Sequence, residues 1–172
     1  LAASGDRDIQ SLLEAEALYN DVFGPVAFDL GIEAKRESTV ADRVPGGERV
    51  LHSVEPFAQG SWTVGGLNLV PGARLTWSEQ WGTHLTPRLA AMFRPTPAVA
   101  IRASVGRGFR APAFKELYME FLNVGDGFGY TVRGNPELRA ETSTNISGGV
   151  ELSGGSTYVR AQVFQNRFDD FI

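Results

Sequence analysis

Cysteine is absent from the chain. That excludes a disulfide framework, a thiolate nucleophile and any cysteine-based metal site. Histidine is nearly absent as well: His52 and His84 are the only two, too few for histidine-centred catalysis or a histidine metal cluster. A basic surplus is also missing. The formal charge is -4 and the pI about 5.2, which argues against nucleic acid as a partner. No run of 18 or more apolar residues occurs, so no transmembrane helix is encoded. A membrane is not thereby excluded, because barrel strands alternate and their hydropathy signal per segment is weak.

The start at Leu1 shows neither a basic n-region nor an apolar h-region, so no signal peptide is legible. The chain reads as processed or as a fragment, and the abrupt "RFDDFI" end favours a fragment. With 172 residues, 42% hydrophobic and 21% charged, it is long enough for one folded domain.

What is present is alternation. Val99, Ile101, Ala103 and Val105 share one face, with Arg102 and Ser104 on the other. The same period of two runs through 26–37, 67–78, 85–94, 142–152 and 156–166, and it predicts strands with one apolar and one polar face. The stretch 9–19 has helix-like composition but also alternates, and it reads as a strand like its neighbours. The expectation is an all-β antiparallel meander of about eight strands. Short connections are expected at 20–25, 64–66, 95–97 and 153–155, and longer ones at 37–49, 79–84 and 106–141. Tight turns at one end with longer loops at the other match an outer-membrane barrel. So do Trp62 and Phe93 beside short turns and Trp77 beside a longer loop, as two interfacial girdles. A soluble antiparallel sandwich alternates equally well and stays open at this point. Pro56, Pro71 and Pro87 fall inside strand runs, where a residue without N–H is out of place. Pro71-Gly72 is a candidate bulge and Pro87 a candidate strand start.

Residues 106–111, Gly-Arg-Gly-Phe-Arg-Ala, fit a dinucleotide fingerprint, with Asp126 as the distant acid. The context fails, because that site needs strand–helix–strand units and this chain reads as hairpins. Paired carboxylates such as Asp169-Asp170 have no acid–base partner arrangement, and no serine or threonine has a histidine partner. No catalytic residue, metal site or cofactor is indicated.

The stretch Gly108-Phe109-Arg110-Ala111-Pro112, then Glu116-Leu117-Tyr118, then Gly134-Asn135-Pro136, Leu138 and Glu141, resembles the late-barrel signature of TonB-dependent outer-membrane receptors. "LVPGARLTW", "LTPRLAAMFRP" and "FQNRFDDFI" follow the same order, so the likeness is close from about residue 50 onward. Ala140 departs from the family's proline. No plug domain or energy-coupling box is legible, and the family's barrels close at about 22 strands. The resemblance therefore implies that residues 1–172 form part of a large transmembrane barrel in the bacterial outer membrane, surrounded by lipid. Alone, such a segment neither gates nor transports.

The resemblance further implies that 106–141 is an extracellular loop. Gly106 and Gly108 are expected to let the chain leave its strand with unusual dihedrals. Pro112 and Pro136 are expected to stiffen the loop ends, and Arg110 to pair with Glu141. Tyr118, Phe121, Phe128, Tyr130 and Arg133 are the candidate contacts for a large anionic chelate. A ferric siderophore is the first ligand class, with cobalamin or another chelate next. No histidine lies between Phe109 and Leu138, which disfavours capture of haem by that route. Arg74, Arg88, Arg102 and Arg160 are expected to face the lumen with Glu33, Glu55 and Glu151, against a plug worked by a TonB-type energy-transducing protein. Against this stand a small self-contained eight-stranded membrane barrel and a soluble β-sandwich binding module.

Overall fold

The computed structural model describes residues 8–41, 47–125 and 128–171, apart from the side chains of Asp8, Phe121, Asn123 and Val124. Asp126 of the dinucleotide-like string lies outside them. Eight strands form one antiparallel sheet in chain order: β1 (Asp8–Phe23), β2 (Val26–Ala41), β3 (Glu48–Val64), β4 (Leu67–Ser78), β5 (Gly82–Thr96), β6 (Val99–Arg110), β9 (Glu141–Gly154) and β10 (Thr157–Asp169). Between β6 and β9 the chain makes a short helix, α1 (Phe114–Tyr118), and a separate two-stranded hairpin of β7 (Glu120–Gly125) and β8 (Phe128–Arg133). The stretch 9–19 is strand, inside β1.

The pairing register turns the alternation into two continuous faces. Directly opposed residues share a face, and the rows run Ala17–Ile32–Pro56 on β1–β3 and Leu69–Ala91–Ala103–Gly148 on β4–β9. One face is thus apolar from β1 to β10, and its large side chains stay exposed, Leu13, Leu85 and Val163 among them. The opposite face carries most of the charges, while Asp21, Arg36, Arg107, Arg167 and Asp169 fall on the apolar side by register. A one-residue slip would carry inner charges such as Glu16, Glu33, Arg74 and Arg102 to the apolar face, so the pattern fixes the register. β1 and β10 do not pair with each other, and the sheet is open. A self-contained eight-stranded barrel needs that closure, and a sandwich needs a second large sheet facing the first.

The short connections fall where expected, some a residue or two later. Gly24-Pro25, Gly65-Gly66, Pro97-Ala98 and Gly155-Ser156 are two-residue turns. Gly24, Gly65 and Gly155 take φ of 55°, 57° and 54°, the left-handed geometry that matches the strand twist in tight hairpins. All three longer connections are shorter than the sequence implies: β2 runs to Ala41 and β3 starts at Glu48, inside the expected 37–49. The 79–84 segment reduces to the three residues 79–81, and β6 and β9 extend to Arg110 and Glu141, which leaves 111–140 as the connection.

The prolines fit by the same rule. Pro56 pairs with Ile32 on β2, and the ladder to β4 is interrupted there; Pro71 pairs with Leu89 on β5, and the ladder to β3 is interrupted opposite it. Pro87 pairs with Ala73 on β4, while the ladder to β6 begins only at Arg88. Each proline keeps one neighbour and gives up bonds to the other. The register between β3 and β4 does not shift at Pro71-Gly72, so no bulge forms there.

Candidate functional site

Gly106 and Gly108 lie within β6, and neither has positive φ. They do not release the chain into a loop. A Cβ on Gly108 would stand 2.5 Å from Ser143 Oγ, and one on Gly106 would stand 3.3 Å from Arg88 Cβ. Close approach of neighbouring side chains is what these positions require.

Beyond Arg110 the chain turns through Pro112, which is buried, into α1. Phe114 and Leu117 point inward, and Leu117 is fully buried at 0% exposure. The helix starts at Ala113, whose side chain cannot cap. Glu116 does so from within the first turn: its carboxylate accepts the Ala113 N–H at 2.7 Å and a guanidinium N–H of Arg110 at 2.7 Å. The Ala113 amide, and next the Arg110 cation, hold the Glu116 carboxyl below its ordinary range. Arg110 also reaches Glu141, its direct register partner, at 3.7 Å. The expected pair is present, with Glu116 the closer acid.

The Gly-Asn-Pro segment closes the other side. Gly134 N–H donates to the Met119 carbonyl at 2.7 Å and Asn135 N–H to the Glu116 carbonyl at 2.9 Å, which satisfies carbonyls that a helix end leaves open. Asn135 Oδ1 accepts the Glu137 N–H at 2.9 Å, an Asx turn with Pro136 between them. The two sequence boxes therefore form one clamp at the foot of the connection.

The five candidate ligand contacts separate. Tyr118 is turned to the wall: its hydroxyl accepts from Gln80 Nε2 at 3.0 Å, and the Arg49 guanidinium lies 5.3 Å from its ring centre. Phe128 and Tyr130 stand on one face of the hairpin, at 86% and 61% exposure. Arg133 lies on the opposite face by register and is held by Glu120 at 2.9 Å. The Phe121 side chain lies outside the described residues. Neither histidine approaches the hairpin. His84 stacks on Phe109 at 4.1 Å and donates through Nε2 to the Trp81 carbonyl, and His52 meets Glu79.

All four arginines expected in the lumen lie on the charged face. Arg74 bonds Glu33 at 2.9 Å and Glu55 at 2.8 Å, with Phe57 beneath it at 4.9 Å. Arg102 holds Glu151 at 3.0 Å, and Arg160 reaches the same carboxylate at 3.6 Å. Arg88 has no hydrogen bond or ion pair among the described residues. A cavity of about 440 Å³ opens against this face, lined among others by Lys35, Glu55, Arg74, Trp81 and Phe109. Trp81 Nε1 is buried without a hydrogen-bond partner among the described residues. Sequence reasoning passed over Trp81, Gln80 and Arg49, since nothing local marks a residue whose partner lies elsewhere along the chain.

An open sheet with one apolar face, one charged face, tight turns at one end and an elaborated connection at the other is a piece of outer-membrane β-barrel wall. Residues 11–172 match the family "TonB dependent receptor-like, beta-barrel". The chain belongs to that family, and its place is the bacterial outer membrane. It is 27% identical over 155 residues to the iron-regulated outer membrane virulence protein of Vibrio cholerae, covering 87% of this chain and 24% of that one. It is 29% identical over 119 residues to the ferric enterobactin receptor of Pseudomonas aeruginosa, covering 62% of this chain and 16% of that one. Its fold is that of the siderophore receptor PirA from Pseudomonas aeruginosa, with a TM-score of 0.85 at 19% identity over 94% of this chain and 32% of the other. The chain thus spans about a quarter of the first of these relatives and less of the second.

Proposed function

We propose that this wall segment serves a receptor that imports a ferric siderophore, its ligand held on the outer side by the 111–140 connection. The family's members are transporters rather than enzymes, and relatives named for iron regulation and for ferric enterobactin support the ligand class. One observation carries the assignment: the clamp around Glu116 and Gly134 fixes the base of the connection, while the hairpin above it holds Phe128 and Tyr130 out to solvent. Rigid base and exposed aromatic tip are what a recognition loop needs. In this reading a plug fills the lumen, and a TonB-type protein works on it from the inner membrane.

The test is a Phe128→Ala/Tyr130→Ala pair in the complete receptor, with binding of a ferric catecholate siderophore read by fluorescence quenching. Each ring contributes about 0.5–1.5 kcal/mol beyond its area, so affinity falls about ten-fold or more. Unchanged affinity would remove the hairpin from the binding site.

A further inference from the structure

Tyr118 makes two contacts that the clamp does not need. Burial of Phe114 and Leu117, the Glu116 cap and the main-chain bonds from Gly134 and Asn135 already hold α1 to its own connection. The Tyr118 hydroxyl instead accepts from Gln80 Nε2 at 3.0 Å, and the Arg49 guanidinium stands 5.3 Å from its ring centre, within cation–π range. Both partners belong to other parts of the wall, Gln80 to the β4–β5 turn and Arg49 to the start of β3.

Both partners are fixed posts. In the β4–β5 turn, Trp81 N–H donates to Ser78 Oγ at 3.1 Å, and His84 Nε2 donates to the Trp81 carbonyl at 2.8 Å while its ring stacks on Phe109 of β6. Arg49 lies in the β2–β3 ladder opposite Thr39, and its guanidinium also donates to the Glu48 carbonyl at 3.0 Å. The strand ends at Arg110 and Glu141 give the connection a base only one interstrand spacing wide, about 4.8 Å. Contact with Arg49 widens that footing to β3, three strands from β6, or about 14 Å across the sheet. The place of the contact matters as well. Only Met119 separates Tyr118 from β7, and Met119 is extended, at φ -70° and ψ 131°. The direction in which the hairpin leaves the clamp is therefore set where Tyr118 is held.

We propose that Tyr118 is a positioning residue for ligand capture: braced between Gln80 and Arg49, it fixes the pose in which the hairpin presents Phe128 and Tyr130. This rests on the reading above that the hairpin holds the ligand. The hydroxyl and ring of Tyr118 face the wall, so it acts through the two exposed rings rather than on the ligand. A hairpin posed in advance binds at a lower ordering cost, and apparent affinity falls with the fraction of molecules so posed.

The experiment uses the complete receptor, with binding of a ferric catecholate siderophore read by fluorescence quenching. Tyr118→Phe keeps the ring and removes the hydroxyl. Binding weakens about two- to five-fold, because no more than the worth of one hydrogen bond passes into the pose equilibrium. Gln80→Ala does the same from the other side, and the two together cost no more than either alone, as partners in one bond do. In the Phe128→Ala/Tyr130→Ala background, Tyr118→Phe costs nothing further. A nitroxide pair at Thr83→Cys and Thr131→Cys, both exposed, reports the pose directly. Its distance distribution broadens with Tyr118→Phe, while amide exchange at Asn135 in the clamp keeps its rate. With the ring pair shown to matter, unchanged affinity or an unchanged distribution overturns the brace. Quickened exchange at Asn135 also overturns it, by making Tyr118 a support of α1 alone. So does a full Tyr118→Phe loss in the background lacking both rings, since Tyr118 then meets the ligand itself. Where the ring pair leaves affinity unchanged, the hairpin as ligand holder falls, and the distance distribution alone decides the brace.

Discussion

Gly134 stands where its missing side chain is the point. A Cβ there would lie 2.6 Å from the Leu117 carbonyl carbon and 2.7 Å from the Tyr118 nitrogen. Both are backbone atoms with no rotamer to yield. Gly134→Ala is therefore expected to push the Gly-Asn-Pro segment off α1 and cost about 1–3 kcal/mol of local stability, as overpacking does. Amide exchange at Asn135, whose N–H bonds the Glu116 carbonyl, should quicken accordingly; exchange at the wild-type rate would disprove the close fit. Gly108 acts by the same means at the wall, against Ser143. The sequence marks both glycines as parts of motifs, yet a glycine kept for free dihedrals and one kept for close approach look alike until the neighbour is known. That is why the unusual dihedrals expected at 106 and 108 did not materialise.

At the scale of the element, α1 depends on one titratable side chain. Glu116 is half-buried, and its carboxyl is held below the usual value of 4.5 by the Ala113 amide and by Arg110. A carboxyl depressed in the folded state lends stability above its unfolded pKa and withdraws it as pH falls through the folded value. The cap is therefore complete at neutral pH and fails on acidification below about 4.5. Exchange at the Ala113 amide should show that acid step, and Glu116→Gln should abolish the step while leaving the barrel strands unchanged. A step that persists in the variant would assign it to another acid. The strands themselves were legible, because alternation is a local property of ten or so residues. The clamp was legible only as motifs: Arg110, Glu116, Gly134 and Glu141 were named, but the bonds that join them span 6 to 31 residues. The helix and hairpin inside 111–140 were not foreseen, since five- and six-residue elements carry too few periods to register.

At the scale of the molecule, the sheet has two unpaired edges, β1 and β10, and one wide, mainly apolar face. Expressed as these 172 residues without detergent, it should form β-rich aggregates rather than a monodisperse monomer, since open edges and wide apolar patches both recruit copies. A monomeric peak on size exclusion would contradict the membrane face. The pairing of Arg110 with Glu141 has a consequence for how such receptors diversify. The 111–140 connection leaves and re-enters the wall at two residues that sit side by side on neighbouring strands. Its length and content therefore change nothing in the ladder below, and no strand has to slide when the tip is replaced. The connection is an exchangeable cassette on a fixed mount, so a different hairpin grafted between Met119 and Gly134 would leave the clamp and the ladder below it unchanged.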